Sequence, residues 1–353
     1  MAIACFQLIA TETEHGFGSS PKLTVQRQLF CFPRITKTNP PLDDFQRRFY
    51  FSRPLIHKRK SKMLNIYEEV TNRILKQLEA GQIPWRKTWK TGLPRNLATG
   101  REYRGVNILI LCAAGLASRY WITYRQALAL GGHVRKGEKA TTVVYWKWRT
   151  PEEIDRLREK TGKENLAPCV PFTSSVFNLD QVEGIAEPEE DTAPPHSQRL
   201  RTAELLLEVM PSKPEIVHSA VAEPVYNRGL DRVTLPHLSQ FENGDEYYAT
   251  LFHELVHSSG HGKRLNRFAD AKGDIAEKYS FEELVAEFGA AFLCAFAGIK
   301  NSTSEALQAS YIGGWSTVFR GDSRVILRGA SAAQRAADYI RGKIATEELA
   351  AAA

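Results

Sequence analysis

The chain of 353 residues predicts an α+β fold in two parts, a mixed α/β amino-terminal half and a carboxy-terminal half dominated by helices. Three observations predict it. Thr141 to Trp148 alternates as a strand does, with Val144, Trp146 and Trp148 against Val143, Tyr145 and Lys147. Two segments farther on, Glu246–His257 and Ser280–Cys294, carry apolar residues at helical spacing, and the first of them contains His253-Glu254-Leu255-Val256-His257. The charge is divided between the parts. Residues 63–150 hold 15 Lys+Arg and 5 Asp+Glu, whereas residues 151–353 hold 21 and 31.

Residues 1–62 lack sustained periodicity and are expected to be a disordered leader or a start assigned too early, because Met63 opens the first clean helical pattern. They are poor in acids, so a transit peptide is compatible with their composition, whereas a secretory signal is not, since no basic start precedes a long apolar run. Residues 63–185 form the first expected domain. Ile66, Val70, Ile74 and Leu78 stripe a helix from Asn65 to Ala80, which Gly81 ends. Pro84 to Lys90 then interleaves Trp85 and Trp89 with Arg86, Lys87 and Lys90. The indoles either stack on bases while the cations hold phosphates, or anchor the loop on a core. The Asn96–Asn107 loop adds Arg101, Tyr103, Arg104 and Asn107. Helices follow from Asn107 to about Ala117 and from about Tyr124 to Leu130, then a basic turn with Arg135, Lys136 and Lys139. The strand 141–148 should be covered on one side. Residues 150–168 read as an exposed insertion before a strand at Val176. No Cys/His finger or long basic helix occurs here, so aromatics with basic turns suit single strands better than sequence-specific duplex reading.

The acidic, proline-bearing stretch 186–197 reads as a linker, and 198–345 as the second domain. Asp231 to Pro236 is a short strand, either an ordinary hairpin strand or, at a sheet edge, one that could hold an extended peptide. Asn243-Gly244-Asp245 is a turn, with Asp245 placed to cap the helix that carries His253 and His257. Positions i and i+4 share a helix face, so the two imidazoles can close on one metal ion with Glu254 beside a bound water. Gly260 is a natural stop. A third ligand is needed. Downstream, Ser280 and Glu283 form a capping-box pattern, and Leu284, Phe288, Ala291 and Phe292 mark the buried side of the helix. Glu283 and Glu287 share a face one turn apart, so one could bind the metal while the other holds a ligating histidine. This arrangement resembles that of the gluzincins, with Glu283 as ligand and Glu287 behind it. His261 is the rival ligand. Such a site would take Zn2+, or another divalent transition ion. The metal would lower the pKa of water and polarise a carbonyl, and Glu254 would pass the proton to the leaving amine. Tyr311 and His261 are candidate donors to the oxyanion. Cys294 should be core. A last amphipathic helix, Ser331 to Ile344, should turn Ala333, Ala336, Ala337 and Ile340 inward and Arg335 and Arg341 to water.

No stretch reaches the roughly 18 apolar residues of a membrane span. The five cysteines are scattered, without CxxC. That excludes a disulfide framework and fits a reducing, cytoplasmic setting.

The runs Ile66–Trp89, Asn96–Asn107, Trp121-Ile122-Thr123, Gly137-Glu138-Lys139 and Val176–Gly184 resemble the ArdC antirestriction family, related to amino-terminal segments of plasmid primases. So do Tyr247–Arg267, Glu282–Leu293 and Trp315–Ile340. The resemblance covers about 63 to 342. It implies a domain binding single-stranded DNA ahead of a zincin-like metallopeptidase domain. It also implies a plasmid or mobile-element setting in which incoming DNA is shielded from restriction, and it carries His253, Glu254, His257 and, by helix position, Glu283. A peptide or protein substrate is implied but given by no motif. The other reading is a DNA-binding protein whose metal site is structural or inactive.

Overall fold

The computed structural model describes residues 62–86, 92–166, 168–188, 196–220, 223–269, 275–300 and 305–343; at 62–65, 86, 275–279 and 305–311 only the backbone is described. The leader 1–61, Lys87, Trp89, Lys90 and most of the expected linker lie outside these.

The amino-terminal half opens with α1 (Lys62–Glu79), whose Ile66, Val70, Ile74 and Leu78 are all buried, as the stripe requires. Four strands form one sheet: β1 (Arg95–Asn96), β2 (Tyr120–Ile122), β4 (Thr141–Trp148) and β5 (Cys169–Asn178), in the order β1-β2-β5-β4. Strands β3 (His133–Val134) and β6 (Val182–Glu183) pair separately. Helix α2 (Val106–Cys112) is shorter than expected, because the chain turns at Ala113 and Ala114, and every one of its residues is buried. Helix α3 (Tyr124–Ala129) has a full capping box between Thr123 and Gln126. The β4–β5 hairpin departs from expectation. Val143 and Val144 are both buried, but Tyr145 to Trp148 are exposed on both faces, so the hairpin runs out past the core instead of covering it. The insertion is a helix, α4 (Pro151–Thr161), with no buried residue.

The carboxy-terminal half begins with α5 (His196–Val209) and a three-stranded sheet in the order β7-β9-β8, comprising β7 (Glu215–His218), β8 (Val225–Asn227) and β9 (Arg232–Leu235). Strand β9 is a hairpin strand, antiparallel to β8, and it pairs with β7 on its other side, so it offers no free edge to a peptide. Four helices complete the half: α6 (Gly244–Ser259), α7 (Ile275–Ala297), α8 (Glu305–Gly321) and α9 (Val325–Ile340). The cap of α6 is Asn243, whose Oδ1 accepts from Glu246 N at 3.0 Å. Asp245 lies inside the first turn, where Arg199 pairs with it at 3.4 Å. Helix α7 starts ahead of Ser280, so Ser280 and Glu283 are interior and form no capping box. In α9, Ala333, Ala336, Ala337 and Ile340 are buried as expected, but the side chain of Arg341 just beyond does not turn to water: it pairs with Glu102 and lies over the Phe296 ring.

The halves are not beads on a string. Ile66 to Ile110 of the first belong to the same hydrophobic cluster as Leu284 to Ile340 of the second. Trp85 stands at the seam, 3 % exposed, edge-on to Phe288 (5.0 Å between centroids) and to Phe319 (6.0 Å). Polar ties cross it as well: Thr71 Oγ1 donates to Ser323 O, Gly105 N donates to Gln334 Oε1, and Arg104 pairs with Asp338.

Candidate metal centre

Helix α6 lies in the core with Leu251, Phe252, Leu255 and Val256 fully buried, which leaves one rim for His253 and His257. Helix α7 packs along that rim. Gly289 permits the approach: a Cβ there would lie 2.7 Å from Val256 Cγ2. The packing brings three donors together. His253 Nε2 and His257 Nε2 are 3.1 Å apart, and the Glu283 carboxylate lies 3.6 Å from the first and 3.4 Å from the second. These are the donors among the described residues that converge closely enough to hold one ion. Two imidazoles and a carboxylate make a divalent-cation set.

Glu254 follows His253 and is 1 % exposed; its Oε1 is buried with no hydrogen-bond partner among the described residues. Leaving a buried carboxylate oxygen unsatisfied is costly. Such an oxygen suits a proton acceptor whose partner arrives with a ligand, so the residues present fit a metal with a water beside Glu254.

The support behind His257 was not read from the sequence. Glu282 Oε1 lies 3.3 Å from His257 Nδ1, and Arg267 clamps the same carboxylate through Nε (2.9 Å) and Nη2 (2.6 Å). Burial raises the Glu282 pKa, but the hydrogen bonds from Arg267 and His257 outweigh it and hold the group below the usual carboxylate range. Arg267 also donates to Val256 O and Ser259 Oγ, locking the end of α6. Beyond Gly260, Arg264 is wholly buried: it donates to Ser258 O (2.6 Å) and Tyr226 Oη (3.0 Å) and pairs with Asp231. Gly260 is not left-handed (φ −76); it is small because Phe268 and Arg267 cross it. His261 turns away: its Nδ1 accepts from Lys263 N at 3.1 Å, and it is not among the three converging donors. Glu287 is buried on α7, and the side chain of Tyr311 on α8 lies outside those described. Cys294 is core, and burial raises its thiol pKa far above the usual value.

The amino-terminal candidates divide. Trp85 is core, and so it presents no ring face to a base. Asn107 is structural: its Nδ2 donates to Val144 O (2.7 Å) and its Oδ1 accepts from Val144 N (2.8 Å), fixing the base of β4. Tyr103 is buried, which pushes its hydroxyl pKa up to about 12. Arg101, Arg104, Arg135, Lys136 and Lys139 are exposed, with Arg135 paired to Glu138. The side chains of Arg86, Lys87, Trp89 and Lys90 lie outside those described.

Fold and site together define a zincin-like protein with an added amino-terminal sheet domain. Residues 203–332 match the zincin-like metallopeptidase family, and residues 64–177 match the N-terminal domain of anti-restriction factor ArdC. Two solved structures of the ArdC protein from plasmid R388 are similar. The metal-free one is 35% identical with a TM-score of 0.62, covering 82% of this chain and 98% of that one. The Mn(II)-bound one is 34% identical with a TM-score of 0.60, covering 81% and 98%. An uncharacterized Sinorhizobium fredii protein, y4eC, is 34% identical over 79% of this chain and 92% of its own length. Two Escherichia coli DNA primases TraC are each 35% identical over 78% of this chain, but the match spans only 20% and 27% of their lengths. The chain belongs to the ArdC antirestriction family.

Proposed function

We propose that this chain is an antirestriction protein of a plasmid or mobile element that binds single-stranded DNA and carries a metal-dependent peptidase site. The observation that supports the catalytic reading is the convergence of His253, His257 and Glu283, together with the unsatisfied Oε1 of Glu254, the residue after His253. A bound divalent ion would supply Lewis acidity to water and carbonyl oxygen. The chain's own part is to hold the two Nε2 atoms and the carboxylate in place and to shuttle the proton: Glu254 accepts it from the attacking water and delivers it to the amine that leaves. Two histidines and a glutamate suit Zn2+, and hard, carboxylate-containing sets also accept Mn2+. For the DNA half, the support is the excess of Lys+Arg, 15 against 5 acids in residues 63–150, with Arg101, Lys136 and Lys139 exposed. That predicts binding that weakens steeply with salt. Among the described residues no helix is long and apolar enough to cross a membrane, and Cys112, Cys169 and Cys294 form no disulfide, which suits action in the cytoplasm.

Glu254→Gln tests the reading, since the amide keeps the shape and cannot accept the proton. The variant should keep its metal content and lose peptide hydrolysis and the protection of incoming DNA. Protection that survives at wild-type level would assign it to DNA binding alone, the second reading, in which the metal site is structural or inactive.

A further inference from the structure

The β4–β5 hairpin leaves the body of the molecule after Val144. Beyond that point Tyr145, Trp146, Trp148 and Phe172 are 38%, 40%, 69% and 47% exposed. Large aromatics held in water on a two-stranded arm do not stabilise a core. Tyr145 and Phe172, directly opposite in register, stack on one face at 5.6 Å. Trp146 and Trp148 occupy the other face. Their separation of two residues corresponds to about 6.8 Å of strand rise, twice the ~3.4 Å step of stacked bases, so one unpaired base fits between the two indoles. From Lys139 to Arg149 the chain carries Lys139, Lys147 and Arg149 and no acid. Lys147 meets Glu153 at 2.8 Å, but both side chains are exposed, and such a pair is readily exchanged for a phosphate. Strand β4 is also the outer strand of its sheet, so nothing in the sheet flanks this row.

We infer that this hairpin is the base-stacking platform for an unpaired nucleic-acid strand. Trp146 and Trp148 take a base between them, and on the opposite face the Tyr145–Phe172 pair offers a second stack, with Lys147 and Arg149 on that face to take phosphates. The inference rests on the single-strand-binding reading and moves its aromatic component from Trp85, which is core, to the arm. The occupant is a polyanion and not a peptide strand added to the β4 edge, because the chain from Lys139 to Arg149 carries three cations and no acid of its own, and a lysine within an edge strand discourages strand addition.

The test is fluorescence anisotropy of the full chain with a labelled oligo-dT across a salt series. Trp148→Ala should weaken binding about tenfold, the usual worth of one stacked base, with an unchanged salt slope and circular dichroism spectrum. Trp148→Phe should restore most of the loss, because a ring face returns. Lys147→Ala and Arg149→Ala should instead each flatten the slope by about 0.7. If the parent chain binds oligo-dT and Trp146→Ala/Trp148→Ala binds it equally well, the platform is refuted while single-strand binding stands, and the exposed edge falls to a peptide partner. If the parent chain itself does not bind, the single-strand reading fails and takes the platform with it.

Discussion

His257 is held from behind. Its Nδ1 faces Glu282, which Arg267 grips with two nitrogens, so the ring proton is fixed on Nδ1 and the Nε2 lone pair is left facing His253 and Glu283. Glu282→Gln keeps the shape but weakens the acceptor. It should lower affinity for Zn2+ or Mn2+ about 10- to 100-fold, measured by competition with a chromogenic chelator, with the fold unchanged by circular dichroism. Equal affinity would show that the carboxylate only holds Arg267. Helical spacing made Glu283 and Glu287 the carboxylates of interest, since residues one turn apart share a face. Glu282 lies about 100° round the helix from Glu283, and what it faces is set by how α7 lies on α6. That packing angle is not written in either helix alone.

Helix against helix, the site depends on a missing methyl group. With a Cβ at Gly289 only 2.7 Å from Val256 Cγ2, a side chain would push α7 off α6 and draw Glu283 away from the histidines. Gly289→Ala is expected to cost about 1–3 kcal/mol, as overpacking does, and to reduce metal affinity as well. A lowered Tm in thermal melts of apo protein, together with chelator competition, checks both; a Tm at or above the parent's would mean that the helices have room to spare. The helices themselves were legible, because the stripes Ile66–Leu78, Tyr248–Val256 and Leu284–Phe292 survive any small error of boundary. Their starts were less so. Asp245 and Ser280 have the chemistry of caps, but Asn243 had prior claim on the first and α7 begins before the second. The second partner of β9 was hidden for a related reason: a hairpin with β8 was open to view, but a four-residue strand does not say whether β7 will pair on its other side.

Across the whole molecule, the division read from charge is real in composition and absent from the core. Basic and acidic halves meet around Trp85, Phe288 and Phe319 as one packed cluster. Charge sits on surfaces and shows which solvent or partner each half faces; it carries no word of what their apolar sides share. Trp85→Ala should therefore cost about 3–5 kcal/mol and lower the melting of both halves together in a single calorimetric transition. Two separate transitions, with only the first moved, would show independent domains. The seam also fixes an order of events at birth. Glu79 and Arg320 meet across 241 positions of chain. At about 5–20 residues per second, a ribosome needs on the order of ten to fifty seconds to deliver the second after the first. For that interval Ile74, Leu78 and Trp85 have only the partners of their own half, and the side that Phe288 and Phe319 later cover stays open, so the nascent amino-terminal half is a natural client for a chaperone until α8 and α9 emerge.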